Sequence, residues 1–145
     1  MNTLILVLYG LSLTVFALTL LWILVPALYG LPSKPTKPDR IRKALKLVDL
    51  KPGEVFYDLG AGDGRVLFIA AKEFGARAVG LEIGPVQVAL LWLRILLGGL
   101  SDRVQVKWAN FYRADLSRAD VVFVYATLQE LMKLAPHLEG QMRAG

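Results

Sequence analysis

Residues Val55 to Arg65 read VFYDLGAGDGR, and this stretch decides the fold. Val55-Phe56-Tyr57-Asp58-Leu59 has the β-branched and aromatic content of a short strand. Gly60-Ala61-Gly62-Asp63-Gly64 follows directly, and a helix is predicted from Arg65 to about Phe74. A strand that runs through a glycine-rich loop into a helix is the setting in which such a loop binds a ligand. The glycines permit a tight turn and let a ligand approach the backbone. In an open parallel sheet that ligand sits outside the carboxyl ends of the strands.

Spacing narrows the ligand. The glycines fall at Gly60, Gly62 and Gly64, so Arg65 stands where the third glycine of a dinucleotide fingerprint would be. No Gly-Lys-Ser/Thr follows, which disfavours a nucleoside triphosphate loop. Glu82 closes the next strand, 22 residues after Gly60, where a carboxylate can accept hydrogen bonds from both hydroxyls of a ribose. Asn110 and Phe111 follow a third strand; an amide there suits an adenine edge and an aromatic neighbour suits its face.

Outward from the loop, strands and helices alternate. A short helix is predicted near Ile41 to Val48, with Pro38 in its first turn and Thr36 as its cap. Lys51-Pro52-Gly53 reads as a turn. Further strands are Arg77 to Leu81 ending at Glu82, Val104 to Trp108, and Val121 to Tyr125, the last apolar enough to be buried on both faces. Helices are predicted from Pro85 to about Gly98-Gly99 and from Leu128 to Leu138. This alternation implies a parallel α/β sheet with right-handed crossovers.

The N-terminus differs in kind. Residues 1–33 carry no charged side chain, and Leu4 to Val25 is a nearly unbroken apolar run. At 1.5 Å per residue it reaches about 33 Å, enough for a hydrocarbon core of roughly 30 Å. Trp22 and Tyr29 suit a membrane interface, and Pro26, Gly30, Pro32 and Pro35 are expected to end the helix. A cleaved signal peptide would have a shorter apolar region behind a basic start, and Met1 to Thr3 has no basic side chain. Lys34 to Lys46 holds six basic residues and one acidic one, so the whole net charge of +5 sits beside the apolar helix. That placement suits anionic headgroups and keeps the following domain cytoplasmic. It does not suit a nucleic-acid binder, which spreads its charge over a folded face. Three regions follow: an anchor at 1–33, a basic linker and first helix at 34–53, and a ligand-binding domain at 54–145.

The chain has no cysteine, which excludes disulfides, thiolate metal sites and cysteine nucleophiles. Its single histidine, His137, follows Pro136 and reads as a surface or capping residue. No metal site is expected. The segment Val86 to Leu97, VQVALLWLRILL, has only Gln87 and Arg94 as polar residues. A helix covering a sheet would show a polar face. This one is expected either to contact another part of the chain or a partner, or to rest in a membrane interface.

The acidic residue and G-x-G-x-G at Asp58, Gly60, Gly62 and Gly64, with Glu82 beyond, resemble the class I S-adenosylmethionine-dependent methyltransferases. More closely, the chain resembles the small membrane-anchored methyltransferases related to the ATP synthase c-subunit lysine methyltransferase. The shared features are the N-terminal helix, Pro35-Thr36, and the Asp-Leu-Gly-x-Gly-Asp-Gly-Arg loop from Asp58 to Arg65. The resemblance implies a Rossmann-like sheet and S-adenosylmethionine as cofactor. It implies that Asp58, Gly60, Ala61, Gly62, Asp63, Gly64, Glu82, Asn110 and Phe111 bind the cofactor, and that Tyr125 lines the acceptor site. No catalytic base stands out. The implied acceptor is a protein lysine, with a small or lipid-like molecule, or a non-catalytic cofactor-binding fragment, as alternatives. The implied partners are the lipid bilayer and a membrane-protein substrate. Val124-Tyr125-Ala126-Thr127 lacks the Asn/Asp-Pro-Pro-aromatic motif of DNA amino-methyltransferases, so no nucleic acid is expected. Such a core has seven strands; four are legible here, and the expectation is a domain incomplete at its C-terminus.

Overall fold

Among the described residues, four parallel strands form a central sheet in the order β3-β2-β1-β4. The computed structural model describes residues 2–28 and 35–142. The strands are β1 (Val55–Leu59), β2 (Arg77–Glu82), β3 (Val104–Trp108) and β4 (Val121–Val124). The helices are α1 (Thr3–Leu28), α2 (Pro38–Leu47), α3 (Arg65–Glu73), α4 (Pro85–Leu97) and α5 (Leu128–Gln141), with a 3₁₀ turn at Phe111–Arg113.

Alternation along the strands makes two cores. Phe56, Ala78 and Val104 point to one face, where Ile41 and Leu45 of α2, Leu67 and Ala70 of α3, and Leu91 and Ile95 of α4 cover them. Tyr57, Leu59 and Leu81 point to the other, against Phe111, Leu116 and Leu134 of α5. β1 sits between β2 and β4, with Asp58 level with Gly80 on one side and Phe123 on the other. The chain thus reverses its direction of strand addition between β1 and β4. That reversal opens a crevice at the carboxyl ends of these two strands.

Several local expectations are corrected. β4 is half-buried along its length rather than buried on both faces, because it is an edge strand of the sheet. The cap of α2 is Lys37, not Thr36; Pro38 opens the helix with its φ already set, and the Thr36 carbonyl accepts from Arg65 instead at 3.3 Å. α5 runs through Pro136 to Gln141, entered by a capping box in which Glu130 accepts from the Thr127 N–H at 2.8 Å. His137 lies 3.0 Å from the Ala114 carbonyl and ties α5 to the loop before β4.

α1 is a helix long and apolar enough to cross a membrane from Thr3 to Val25. The hydroxyls of Thr14 and Thr19 donate to the carbonyls four residues back, Thr14 to Gly10 at 2.9 Å and Thr19 to Val15 at 2.8 Å. In lipid these groups need such internal partners. The helix does not end at Pro26 but continues to Leu28. Tyr29, Gly30 and Pro32 lie outside the described residues.

Candidate functional site

A cavity of about 260 Å³ occupies the crevice between β1 and β4. Asp58, Gly60, Ala61, Gly62 and Asp63 form its floor, Phe123 and Tyr125 its β4 side, and Arg65 and Val66 the start of α3. Pro35 and Thr36 of the linker, Trp22 of α1 and Gln87 of α4 complete the wall.

The loop takes its shape from backbone that only glycine adopts readily. Gly60, Gly62 and Gly64 have φ of 90°, 53° and 78°. Gly64 also meets α4 closely, since a Cβ there would lie 2.1 Å from Leu91 Cδ1. The Gly60 and Ala61 N–H groups donate to the Leu81 carbonyl at 2.8 and 3.0 Å, which pins the loop to β2. Glu82 holds it from the other side. Its carboxylate accepts from the backbone N–H groups of Gly62 at 2.8 Å, and of Ile83 and Gly84 at 2.9 Å each. One side chain therefore joins the glycine loop to the start of α4.

Asp58 is 3% exposed, and its Oδ2 has no hydrogen-bond partner. Burial, reinforced by the charges of Glu82 and Asp63, pushes its carboxyl up from 3.8 to about 8. The folded chain therefore keeps a proton that the unfolded chain has lost across that window, so stability falls as pH rises through it. Asp58→Asn is expected to flatten this slope in thermal melts between about pH 5 and about pH 8; an unchanged slope assigns the proton elsewhere. Asp63 behaves oppositely. Burial works to raise its pKa, but the hydrogen bonds and charge of Arg65 outweigh it and hold the carboxyl below its usual range. Arg65 Nε donates to Asp63 at 2.9 and 3.0 Å, and its Nη1 reaches the Thr36 carbonyl, so one guanidinium fastens the linker over the loop.

A contact of α4 with another part of the chain was among the expectations from sequence, but not that the contacting element is α1. Proline has no N–H, so Pro26 leaves the carbonyl four residues earlier, that of Trp22, without its helical donor. Gln87 Nε2 fills that role at 3.1 Å from the Trp22 oxygen. Gln87 is 5% exposed, and its Oε1 has no partner. Gly84 makes room for it, as a Cβ there would lie 2.1 Å from that oxygen. Gln87→Leu orphans the Trp22 carbonyl and is expected to cost about 1–3 kcal/mol of stability. In a Pro26→Ala background the helix regains its own donor, and the same substitution should cost less. Chemical unfolding of the four variants of that cycle checks this; equal costs in both backgrounds would contradict it.

Of the residues proposed from sequence, Asp58, Gly60, Ala61, Gly62, Asp63 and Tyr125 line the cavity together. Gly64 and Glu82 stand behind the loop and shape it. Asn110 caps the 3₁₀ turn, accepting from the Tyr112 N–H at 3.0 Å, and Phe111 is buried in the α5-side core. Trp22, Gln87, Arg65, Phe123 and the Pro35-Thr36 segment are cavity residues that sequence reasoning had placed elsewhere or passed over. The available signals were Pro35-Thr36 and Arg65 in the family resemblance, and Gln87, an uncharged polar residue in a helix whose other polar residue is Arg94. Among the described residues no group of three or more histidines, cysteines or carboxylates is placed to hold a metal.

Residues 58–145 match the ANTKMT methyltransferase domain. A protein-lysine N-methyltransferase of Saccharolobus islandicus is 33% identical over 117 residues, 79% of this chain and 71% of that protein. The ATP synthase c-subunit lysine N-methyltransferase of Xenopus laevis is 27% identical over 113 residues, 78% of this chain. The chain spans about half the length of that enzyme, 49%. Among solved structures, the RNA methyltransferase from Salinibacter ruber in complex with S-adenosyl-L-homocysteine aligns with a TM-score of 0.75 at 37% identity. That alignment covers 77% of this chain and 73% of the Salinibacter protein.

Proposed function

The chain belongs to the ANTKMT methyltransferase domain family, and from that premise we propose that it methylates lysine side chains of membrane proteins, with α1 as its bilayer anchor. S-adenosylmethionine is the cofactor. It supplies a methyl group on a positively charged sulfur, a leaving group already activated for in-line displacement. The chain's residues have then to bind, orient and exclude water, and positioning carries much of the rate.

The unpartnered buried oxygen of Asp58 is the observation that carries this reading. A ligand without a donor would leave it as costly as before, a neutral donor would satisfy the oxygen without its charge, and a cationic one supplies both a donor and a countercharge. We assign Asp58 to the ammonium end of the cofactor and the lone pairs left on Glu82 to the ribose hydroxyls. Asn110 is assigned to the adenine edge through its amide, and the loop from Gly60 to Gly64 to the close backbone approach. Tyr125 and Phe123 line the side left for the acceptor. A lysine must arrive neutral, and the aromatic wall of Trp22, Phe123 and Tyr125 favours that form by desolvation.

Two features support the anchor. The apolar helix is followed at once by the basic segment, as on the cytoplasmic side of a single span. The helix also forms part of the cavity wall, so its removal as a signal peptide would open the site. The experiment is methylation of a membrane fraction by the full chain with isotopically labelled S-adenosylmethionine, read by mass spectrometry. Labelled methyl-lysine in membrane proteins is expected. Label confined to RNA or to lipid would overturn the lysine assignment.

A further inference from the structure

α4 shows the outside a face that a helix in water does not keep. Its inner stripe is Gln87, Leu91 and Ile95, all buried. At about 100° per residue, the arc of roughly 160° opposite Leu91 holds no polar residue. Leu90, Trp92, Leu93, Leu96 and Leu97 are exposed on it, Trp92 by 60% and Leu97 by 78%. The charged residue of α4, Arg94, is turned away from this face. Its guanidinium donates to the Asp63 carbonyl at 2.5 Å and lies 5.3 Å over the Phe68 ring. The apolar arc is therefore not interrupted by its charge.

The neighbour of this face identifies what covers it. α1 packs directly on α4, joined through Gln87 and the Trp22 carbonyl. Trp22 lies three residues before Val25, the end of the stretch able to span a membrane. The contact thus falls at the membrane-boundary end of α1, on the side where the catalytic domain hangs. We propose that the outer face of α4 lies in the lipid bilayer, at the boundary between headgroups and acyl chains. An apolar helix face with a tryptophan suits that depth. The inference rests on the reading of α1 as an anchor. It means that the domain is held at two points rather than on a tether, and that a cavity walled by Trp22 and Gln87 opens at the membrane surface.

The chain has no cysteine, so single positions can be labelled cleanly. Full-length Leu96→Cys, Leu93→Cys, Leu13→Cys and Glu139→Cys variants would carry a nitrobenzoxadiazole probe. They would be reconstituted in phosphatidylcholine–phosphatidylglycerol vesicles and quenched by lipid-borne nitroxide or by aqueous iodide. The expected result is several-fold stronger lipid quenching at Leu13, Leu96 and Leu93 than at Glu139, with iodide reaching only Glu139. Iodide quenching at Leu96 and Leu93, with lipid quenching kept at Leu13, overturns the α4 proposal and leaves the anchor standing. Shielding of both α4 probes from both quenchers also overturns it, in favour of a protein partner or a second copy. A Leu13 probe beyond reach of lipid nitroxide overturns the anchor reading, and the proposal with it.

Discussion

Replacing Glu82 by alanine is expected to weaken S-adenosylmethionine binding by roughly 100-fold or more. The carboxylate accepts three backbone N–H groups, from Gly62, Ile83 and Gly84, and so joins the glycine loop to the entry of α4. Alanine leaves those donors without a partner and removes the acceptors assigned to the ribose. Hydrogen bonds to a charged group contribute about 1.5–3 kcal/mol each. Losing two at the lower figure gives about 3 kcal/mol, and each 1.4 kcal/mol is tenfold in affinity. Equilibrium dialysis of labelled cofactor against the full chain measures this. Glu82→Gln keeps one acceptor oxygen and should fall between the two. A Glu82→Ala chain that stays folded and binds within a few-fold of the parent would remove Glu82 from the site.

Gly64→Ala is expected to lower stability by about 2–5 kcal/mol. A left-handed φ of 78° costs a residue with a Cβ about 1–2 kcal/mol of strain. The new methyl would also meet Leu91 Cδ1 at 2.1 Å and Phe68 Cε2 at 3.2 Å. Overpacking of this kind adds about 1–3 kcal/mol. The two parts separate in a Leu91→Ala background, where the 2.1 Å clash is relieved and the strain and the looser Phe68 contact remain. Urea unfolding of the detergent-solubilised variants should show a smaller cost for Gly64→Ala in that background. The same cost in both would place the conflict in the backbone alone.

Features written in consecutive residues were legible before the structure. The strand Val55 to Leu59, the turn through Gly60 to Gly64 and the helix from Arg65 follow from local propensity and glycine spacing, and β2, α4 and β3 lie where the alternation puts them. Features that depend on distant partners were not. Pro26 reads as a helix end, yet the carbonyl it leaves without a donor is satisfied by Gln87, 65 residues from Trp22. Thr36 reads as a cap, yet its carbonyl is held by Arg65 from the far side of the loop. Tyr125, placed at the acceptor site by the family resemblance, directly follows β4 and lines the crevice. Trp22 was assigned to the membrane boundary alone, because nothing local shows that its helix packs on α4 and reaches the cavity. β4 was read as fully buried from its apolar run, since composition does not reveal which strand lies at an edge.

Calorimetric titration of S-adenosylmethionine into the full-length chain near pH 7, in two buffers of different ionisation enthalpy, tests the cofactor assignment most directly. With the Asp58 carboxyl at about 8 in the free chain, binding a cation beside it should release about one proton. The expected result is a single site whose heat depends on the buffer, with that dependence lost in Asp58→Asn. A folded chain that binds no S-adenosylmethionine, or binds it with the same buffer dependence in Asp58→Asn, would contradict the assignment of this cavity.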